Sequence, residues 1–265
     1  MLSLGFSPCP NDTFIFHAMT HGLVDMQGLT FADPFLADVE TLNTWALAGR
    51  LDITKLSFHA LGHVLDNYVL LDSGSALGRG CGPLLVAAQG APLDLSRATV
   101  AIPGRYTTAA MLLQLYAPGP VKTRVMAFEQ IMPAVCSGEV EGGVIIHESR
   151  FTYQEHGLAC IQDLGQWWEE STGHPIPLGG IAARRSLGPQ KIKAVEKIIG
   201  DSVRYAFRHR QKSHTYIRRY AQEMADSVIS SHIDLYVNAF SESLGEEGHR
   251  AVQFFLEHGR AKGLF

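Results

Sequence analysis

Short apolar runs closed by polar loops alternate along the chain with segments whose apolar residues recur at helical spacing. Leu2–Phe6 reads as a strand, after which "SPCPNDT" turns into a helix around Phe14–Thr20. "LDITKL" is a second strand, leading directly into the helix "SFHALGHVL". "ATVAI" runs through the loop "PGRYTT" into the helix "AAMLLQLY", and "EQIMPAVCSGE" is a helix feeding "GGVII". This alternation predicts an α/β fold with a parallel or mixed sheet covered by helices. "GGVII", opened by glycines and closed by polar residues, has the composition of a strand buried on both faces. It stops at His147, at the carboxyl end, where open α/β sheets bind their ligands.

Towards the C-terminus the grammar changes. After "HPIPLGGIAARRSLG" the chain reads as helical: Pro189 suits a first helical turn, and Ile192, Val195, Ile199, Val203 and Phe207 recur at helix spacing. Further helices are expected through Phe255. Two apolar segments, "GPLLVAAQG" and "PIPLGGIAA", are flanked by glycine or proline and read as crossings between domains. They predict a discontinuous larger α/β domain, residues 1–88 with 180–265, and an inserted smaller α/β domain, residues 89–179. A ligand cleft with hinge closure would then lie between them.

Composition narrows the partner. With 265 residues, 46% of them hydrophobic and 18% charged, a net charge of −4 gives no general attraction to nucleic acid or to anionic lipid. The expected partner is a small molecule, with no nucleic acid and no membrane. The stretch "VRYAFRHRQKSHTYIRRY" is locally basic but comes with no nucleic-acid motif, so it reads as a solvated helix face. "MLSLGFSPCPND" lacks the basic and apolar regions of a leader, and no apolar run is long enough to span a bilayer; a cytoplasmic location is the expectation.

Several motifs resemble metal or phosphate sites without completing them. "HESRF" begins like the zinc-protease HExxH but has Phe151 where the second histidine must stand. His17 with His21, and His59 with His63, are spaced by four but lack an identifiable third ligand. The four cysteines, Cys9, Cys81, Cys136 and Cys160, form no CxxC pair. Cys9 alone sits in a Pro-flanked loop after a strand, where a thiol can approach a ligand. "SGSALGRGCGP" has neither a P-loop ending nor a strand–turn–helix frame, and reads as a flexible loop.

What remains is a set of polar residues at strand ends: Ser57 after "ITKL", Thr107 and Thr108 after "VAIPGRY", and His147 after "GGVII". Hydroxyls beside free N–H groups at helix N-termini suit a carboxylate, although each alone would read as a helix N-cap.

"SPCPNDTFIFHAM", "LDITKLSFHA", "GRYTTA" and "GVIIHESRFTY", in this order, resemble the 1,4-dihydroxy-6-naphthoate synthases of the futalosine route to menaquinone, over most of the chain. The resemblance implies a two-lobed fold like that of type II periplasmic binding proteins. It implies a lyase that takes cyclic dehypoxanthinylfutalosine, releases a three-carbon ketone and leaves the aromatic naphthoate, with no cofactor or metal. Carried onto this sequence, the family's base falls on His147, and its ligand contacts fall on Lys55, Leu56, Ser57, Thr107 and Thr108, with Asn43 added for its place near the cleft. Neutral imidazole suits a base working near neutral pH. Two other readings compete: chorismate dehydratase of the same pathway, which shares the fold, and a non-catalytic cytoplasmic protein that binds a small carboxylate.

Overall fold

The apolar runs become strands that divide between two mixed sheets in the computed structural model, which describes residues 1–221 and 225–265. The first sheet holds β1 (Leu4–Phe6), β2 (Phe35–Leu36), β3 (Ile53–Ser57), β4 (Tyr68–Leu70), β5 (Ala76–Gly78) and the late strand β11 (Ile176–Arg184). Its order is β2-β1-β3-β11-β4, with β5 also paired to β11. The second sheet holds β6 (Leu84–Ala88), β7 (Thr99–Ile102), β8 (Lys122–Val125), β9 (Gly142–Ile145) and β10 (Leu158–Asp163), in the order β10-β6-β9-β7-β8. β1 runs parallel to β3, and β7 parallel to β9, so each sheet presents two carboxyl ends on one edge. These two edges face each other.

The expected crossings are themselves strands. "GPLLVAAQG" supplies β6, paired with β9 and β10, and "PIPLGGIAA" supplies β11, paired with β3, β4 and β5. A buried apolar run satisfies its backbone by such pairing on both sides. The chain instead changes sheet between Gly78 and Leu84, and returns between Asp163 and Ile176. Position 88 is therefore the last residue of β6, and position 180 lies inside β11, so neither falls between the sheets.

"SGSALGRGCGP" is also not a free loop, because it contains β5 and is buried from Ser73 to Gly78. Gly74 has φ +90, and a Cβ there would stand 2.0 Å from Ile181 Cδ1, so only glycine fits. Gly143 answers a different need: a Cβ would meet Ile131 at 2.4 Å, so the opening glycines of β9 let a helix lie close against it.

The helices are α1 (Pro10–Thr20), α2 (Val39–Leu47), α3 (Phe58–Val64), α4 (Thr108–Tyr116), α5 (Phe128–Cys136), α6 (Ser149–Thr152), α7 (Leu164–Thr172), α8 (Pro189–Arg208), α9 (His214–Tyr220), α10 (Asp226–Tyr236), α11 (Ala239–Glu242) and α12 (Gly245–Ala261). α1 begins four residues before Phe14, because Pro10 takes its first position and Asp12 its first turn. α8 buries Val195, Ile199 and Val203, while Phe207 near its end is exposed. One apolar core lies behind each sheet, around Phe6, Phe14 and Ile199 in the first and Val86, Ala101 and Ile131 in the second. A third core joins the lobes through Phe58 and Leu61 of α3, Met111 and Leu112 of α4, Trp168 of α7 and Phe255 of α12. Trp168 and Phe255 meet edge to face at 5.3 Å. Among the described residues, no helix is long and apolar enough to cross a membrane.

Candidate active site

The facing carboxyl ends line a cavity that opens to solvent, with about 670 Å³ of free space when its mouth is included. Three helix starts reach it, α1 through Asn11 and Asp12, α3 through its cap Ser57, and α4 through Thr107 to Ala109. Their first-turn N–H groups have no intrahelical acceptor, so the walls carry positive dipole ends without formal charge. The antiparallel partner of Ser57 is Gly179 on β11, which also lines the space. Tyr236, the last residue of α10, closes another side, its hydroxyl proton held above the usual tyrosine range by burial.

His147 stands two residues beyond β9, half-buried, with φ +56. A left-handed backbone is uncommon for any residue but glycine, although His, Asn and Asp enter it more readily than most; it costs about 1–3 kcal/mol, and such positions gather at functional sites. It turns the imidazole back into the cavity, where the ring meets the edge of Phe128 at 5.2 Å and lies nearly parallel to His232 at 5.9 Å. Desolvation lowers its pKa, opposed by the nearby carboxylates of Glu148, Asp12 and Asp38 and assisted by the Lys55 ammonium. The ring is therefore neutral, and able to accept a proton, to lower pH than a free imidazole. Cys9 Sγ lies 3.8 Å from His147 Nε2, and burial raises the thiol pKa well beyond its usual range. Cys9 is thus a protonated neighbour of the histidine and not a ready nucleophile.

Lys55 to Ser57 all line the cavity, but in different ways. The Lys55 ammonium is buried against Asp12 Oδ1 at 2.8 Å, so it neutralises a carboxylate of the protein. Asp12 also accepts from Ser7 N at 3.1 Å, Ser7 Oγ at 2.7 Å and Asn11 Nδ2 at 2.9 Å. Leu56 contributes apolar wall. Asn43 lies behind the wall and does not line it: its Oδ1 accepts from Ser57 N at 2.9 Å and its Nδ2 donates to Ser57 Oγ at 3.2 Å. It braces the strand end, which is why its side chain is wholly buried.

The hydroxyls divide by their single proton. Thr107 Oγ1 gives its proton to Gly104 O at 2.9 Å and caps α4 by accepting from Ala110 N at 3.1 Å. Thr108 Oγ1 gives its proton to Leu178 O at 2.7 Å. Neither can also donate to a carboxylate, whereas Ser57 Oγ accepts from Asn43 and keeps its proton for the cavity. Ser57→Ala should therefore raise KM by about 10- to 100-fold with kcat nearly unchanged, the effect of a lost hydrogen bond to a charged group. Thr107→Ala should instead lose about 1 kcal/mol of stability in urea titration, as a cap does. A reversed pattern, with KM moving only in the threonine variant, would return the anchor to the α4 hydroxyl.

Asn11, Asp12, His232 and Tyr236 were not singled out from sequence. The first two had a usable signal, since "SPCPND" puts polar residues straight after a strand and Pro10 fixes a helix start there. His232 and Tyr236 come from α10, more than two hundred residues from α1, and nothing local marks them. The paired histidines elsewhere have other partners: His59 faces Thr107 O at 3.2 Å through Nδ1, and His21 Nδ1 faces His17 O at 2.8 Å. Among the described residues, no group of three or more His, Cys, Asp or Glu is placed to hold a metal ion.

Residues 2–261 match the profile of a family described as "Menaquinone biosynthesis". A relative from Thermus thermophilus, named 1,4-dihydroxy-6-naphtoate synthase, is 54% identical over 263 residues, 99% of this chain and 95% of the relative. One of the same name from Streptomyces coelicolor is 46% identical over 268 residues, 99% of this chain and 94% of the relative. Among solved structures, protein AF1704 from Archaeoglobus fulgidus superposes with a TM-score of 0.93 at 33% identity, covering 100% of this chain and 98% of its own. The periplasmic aliphatic sulphonate binding protein SsuA from Escherichia coli superposes at 0.66 with 14% identity, covering 99% and 87%. The fold is thus the two-lobed one of periplasmic binding proteins.

Proposed function

The chain belongs to the menaquinone biosynthesis family, and from that premise we propose that it converts cyclic dehypoxanthinylfutalosine into 1,4-dihydroxy-6-naphthoate in the cytoplasm. The reaction is a carbon–carbon lyase step that releases the sugar-derived carbons as dihydroxyacetone. The observation that carries this reading is the strained His147, neutral and turned into a cavity ringed by helix N-termini.

In this reading His147 takes a proton from the bound substrate, the carbon–carbon bond beyond it breaks, and the leaving three-carbon fragment takes up a proton. Aromatisation of the ring that remains supplies much of the driving force. Ser57 Oγ and the N–H groups of Thr108 and Ala109 hold the substrate carboxylate. The apolar wall made by Leu56, Ile146 and Leu178 suits the flat ring system. Lys55, already paired with Asp12, leaves the cavity without an excess charge that would favour small anions over this larger one.

Purified protein incubated with the cyclic substrate should give the naphthoate absorbance and an equimolar ketone. Chorismate offered in parallel should be returned unchanged. Consumption of chorismate, or tight binding of the cyclic substrate with no product, would replace this reading with one of its rivals.

A further inference from the structure

His232 lies at the centre of α10, fully buried, and its ring is within 12° of parallel to that of His147 at 5.9 Å. The two residues belong to different lobes: α10 packs on α1 and β5 of the first, while His147 follows β9 of the second. Hydrogen bonds fix the state of His232. Asn11 Nδ2 donates to Asp12 Oδ1 at 2.9 Å, the same oxygen that holds Lys55, so the amide of Asn11 must turn its Oδ1 outward. That oxygen stands 3.0 Å from His232 Nε2, which must then carry the proton. Nδ1 is left as an unprotonated acceptor, wholly buried and without a partner among the described residues. Charging the ring would place a second N–H there with nothing to receive it.

We propose that His232 is a positioning residue for His147: locked neutral as the Nε2–H tautomer, it offers a flat, dry face that sets the orientation of the reacting imidazole and keeps water from that face of it. The proposal rests on the reading of His147 as the base. Cys9 of the α1 segment and Phe128 of α5 also stand against His147, and the charges of its neighbour Glu148, Asp12 of α1, Lys55 of β3 and Asp38 ahead of α2 act on it through space. His232 faces Asn11 and His147, with Tyr236 one turn along its helix at 4.6 Å. The carboxylates near His147 would favour a cation, and it is burial together with the lack of an acceptor at Nδ1 that keeps the ring at 232 neutral. An imidazolium at 232 would repel a proton arriving on His147, and an aliphatic side chain would leave the ring free to turn.

Two measurements test it. In imidazole nitrogen NMR of the intact protein, His232 should show the neutral Nε2–H pattern from about pH 5.5 to 8, the range where an ordinary histidine titrates. A midpoint within that range, or the Nδ1–H pattern, would overturn the assignment. In kinetics, His232→Phe keeps the flat face, and should keep kcat within a few-fold of the parent with the acidic limb of kcat/KM in place. His232→Ala removes the face, and should lower kcat about 10- to 100-fold with little change in KM. Its acidic limb should move up towards the ordinary imidazole value as water reaches His147. An alanine variant with an unmoved limb, or a phenylalanine variant that matches alanine in both respects, refutes positioning. Should the alanine variant not fold, the nitrogen spectrum and the phenylalanine variant still decide. Failure of the base reading would show separately, as full turnover in a His147 variant, and would leave the nitrogen spectrum of His232 unaffected.

Discussion

His147→Asn is expected to lower turnover by about 10²–10⁴, the contribution of a positioned general base, while product still binds with near-parental affinity. Asparagine is the right replacement for two reasons. It is one of the few side chains that accept a left-handed backbone, so the φ of +56 after β9 is preserved. It also keeps a polar group of similar reach while removing the basic nitrogen. In the parent protein, burial lowers the pKa of His147, so the acidic limb of kcat/KM should lie below about 6.5, the value of a free imidazole. Steady-state rates from acid to neutral pH, with calorimetric product binding on both proteins, check the two parts together. Turnover within a few-fold of the parent would mean that another group takes the proton.

Asp12→Ala should destabilise the fold by about 3–5 kcal/mol, the penalty for breaking a buried pair from one side. The ammonium of Lys55 would remain buried beside Gly74 O at 3.4 Å with no carboxylate to meet it. Ser7 and Asn11 would lose their acceptor in the same step. Replacing both members of the pair, Asp12→Asn with Lys55→Met, should recover much of the loss, because the uncompensated charge has gone. Urea titrations of the single and double variants measure this directly. A single variant that loses less than about 1 kcal/mol would make the pair behave like a solvated surface bridge.

Both effects concern residues that differ in how visible they are in the chain. "GGVII" could be read as a buried strand ending at a histidine because its signal is local: an apolar run, glycines where a helix must come close, and a polar stop. Ser57 and the α4 cap are legible for the same reason, each following a strand and opening a helix. Which hydroxyl keeps its proton was not legible, since that depends on Gly104 and Leu178 carbonyls brought up by the fold. Asp12 is a different case. Its sequence neighbourhood explains a helix start, but the ammonium it neutralises comes from β3, forty-three positions away. The crossings were misplaced because an apolar run flanked by glycine and proline looks alike whether it joins two sheets or pairs within one. Only the partners on either side decide, and pairing partners are a property of the folded chain.

The third core has a bearing on how this molecule opens. Along one margin of the cleft the lobes are sewn together by Thr108 Oγ1 to Leu178 O at 2.7 Å, His59 Nδ1 against Thr107 O at 3.2 Å and Tyr106 N to Glu40 Oε1 at 3.1 Å, over the apolar packing of α3, α4 and α12. Along the opposite margin they meet through softer contacts, the Cys9 thiol at 3.8 Å and the stacked rings of His147 and His232. A book bound along its spine parts at the fore-edge, and here the fore-edge carries the imidazole proposed as the proton acceptor. If that imidazole is the base, a gape wide enough to admit a guest would pull it from its backing ring and let solvent in, so the molecule with its pages parted would also be the molecule without a working base. Admission and reactivity would then be mutually exclusive postures of one structure, protecting a half-converted guest from water without a dedicated flap.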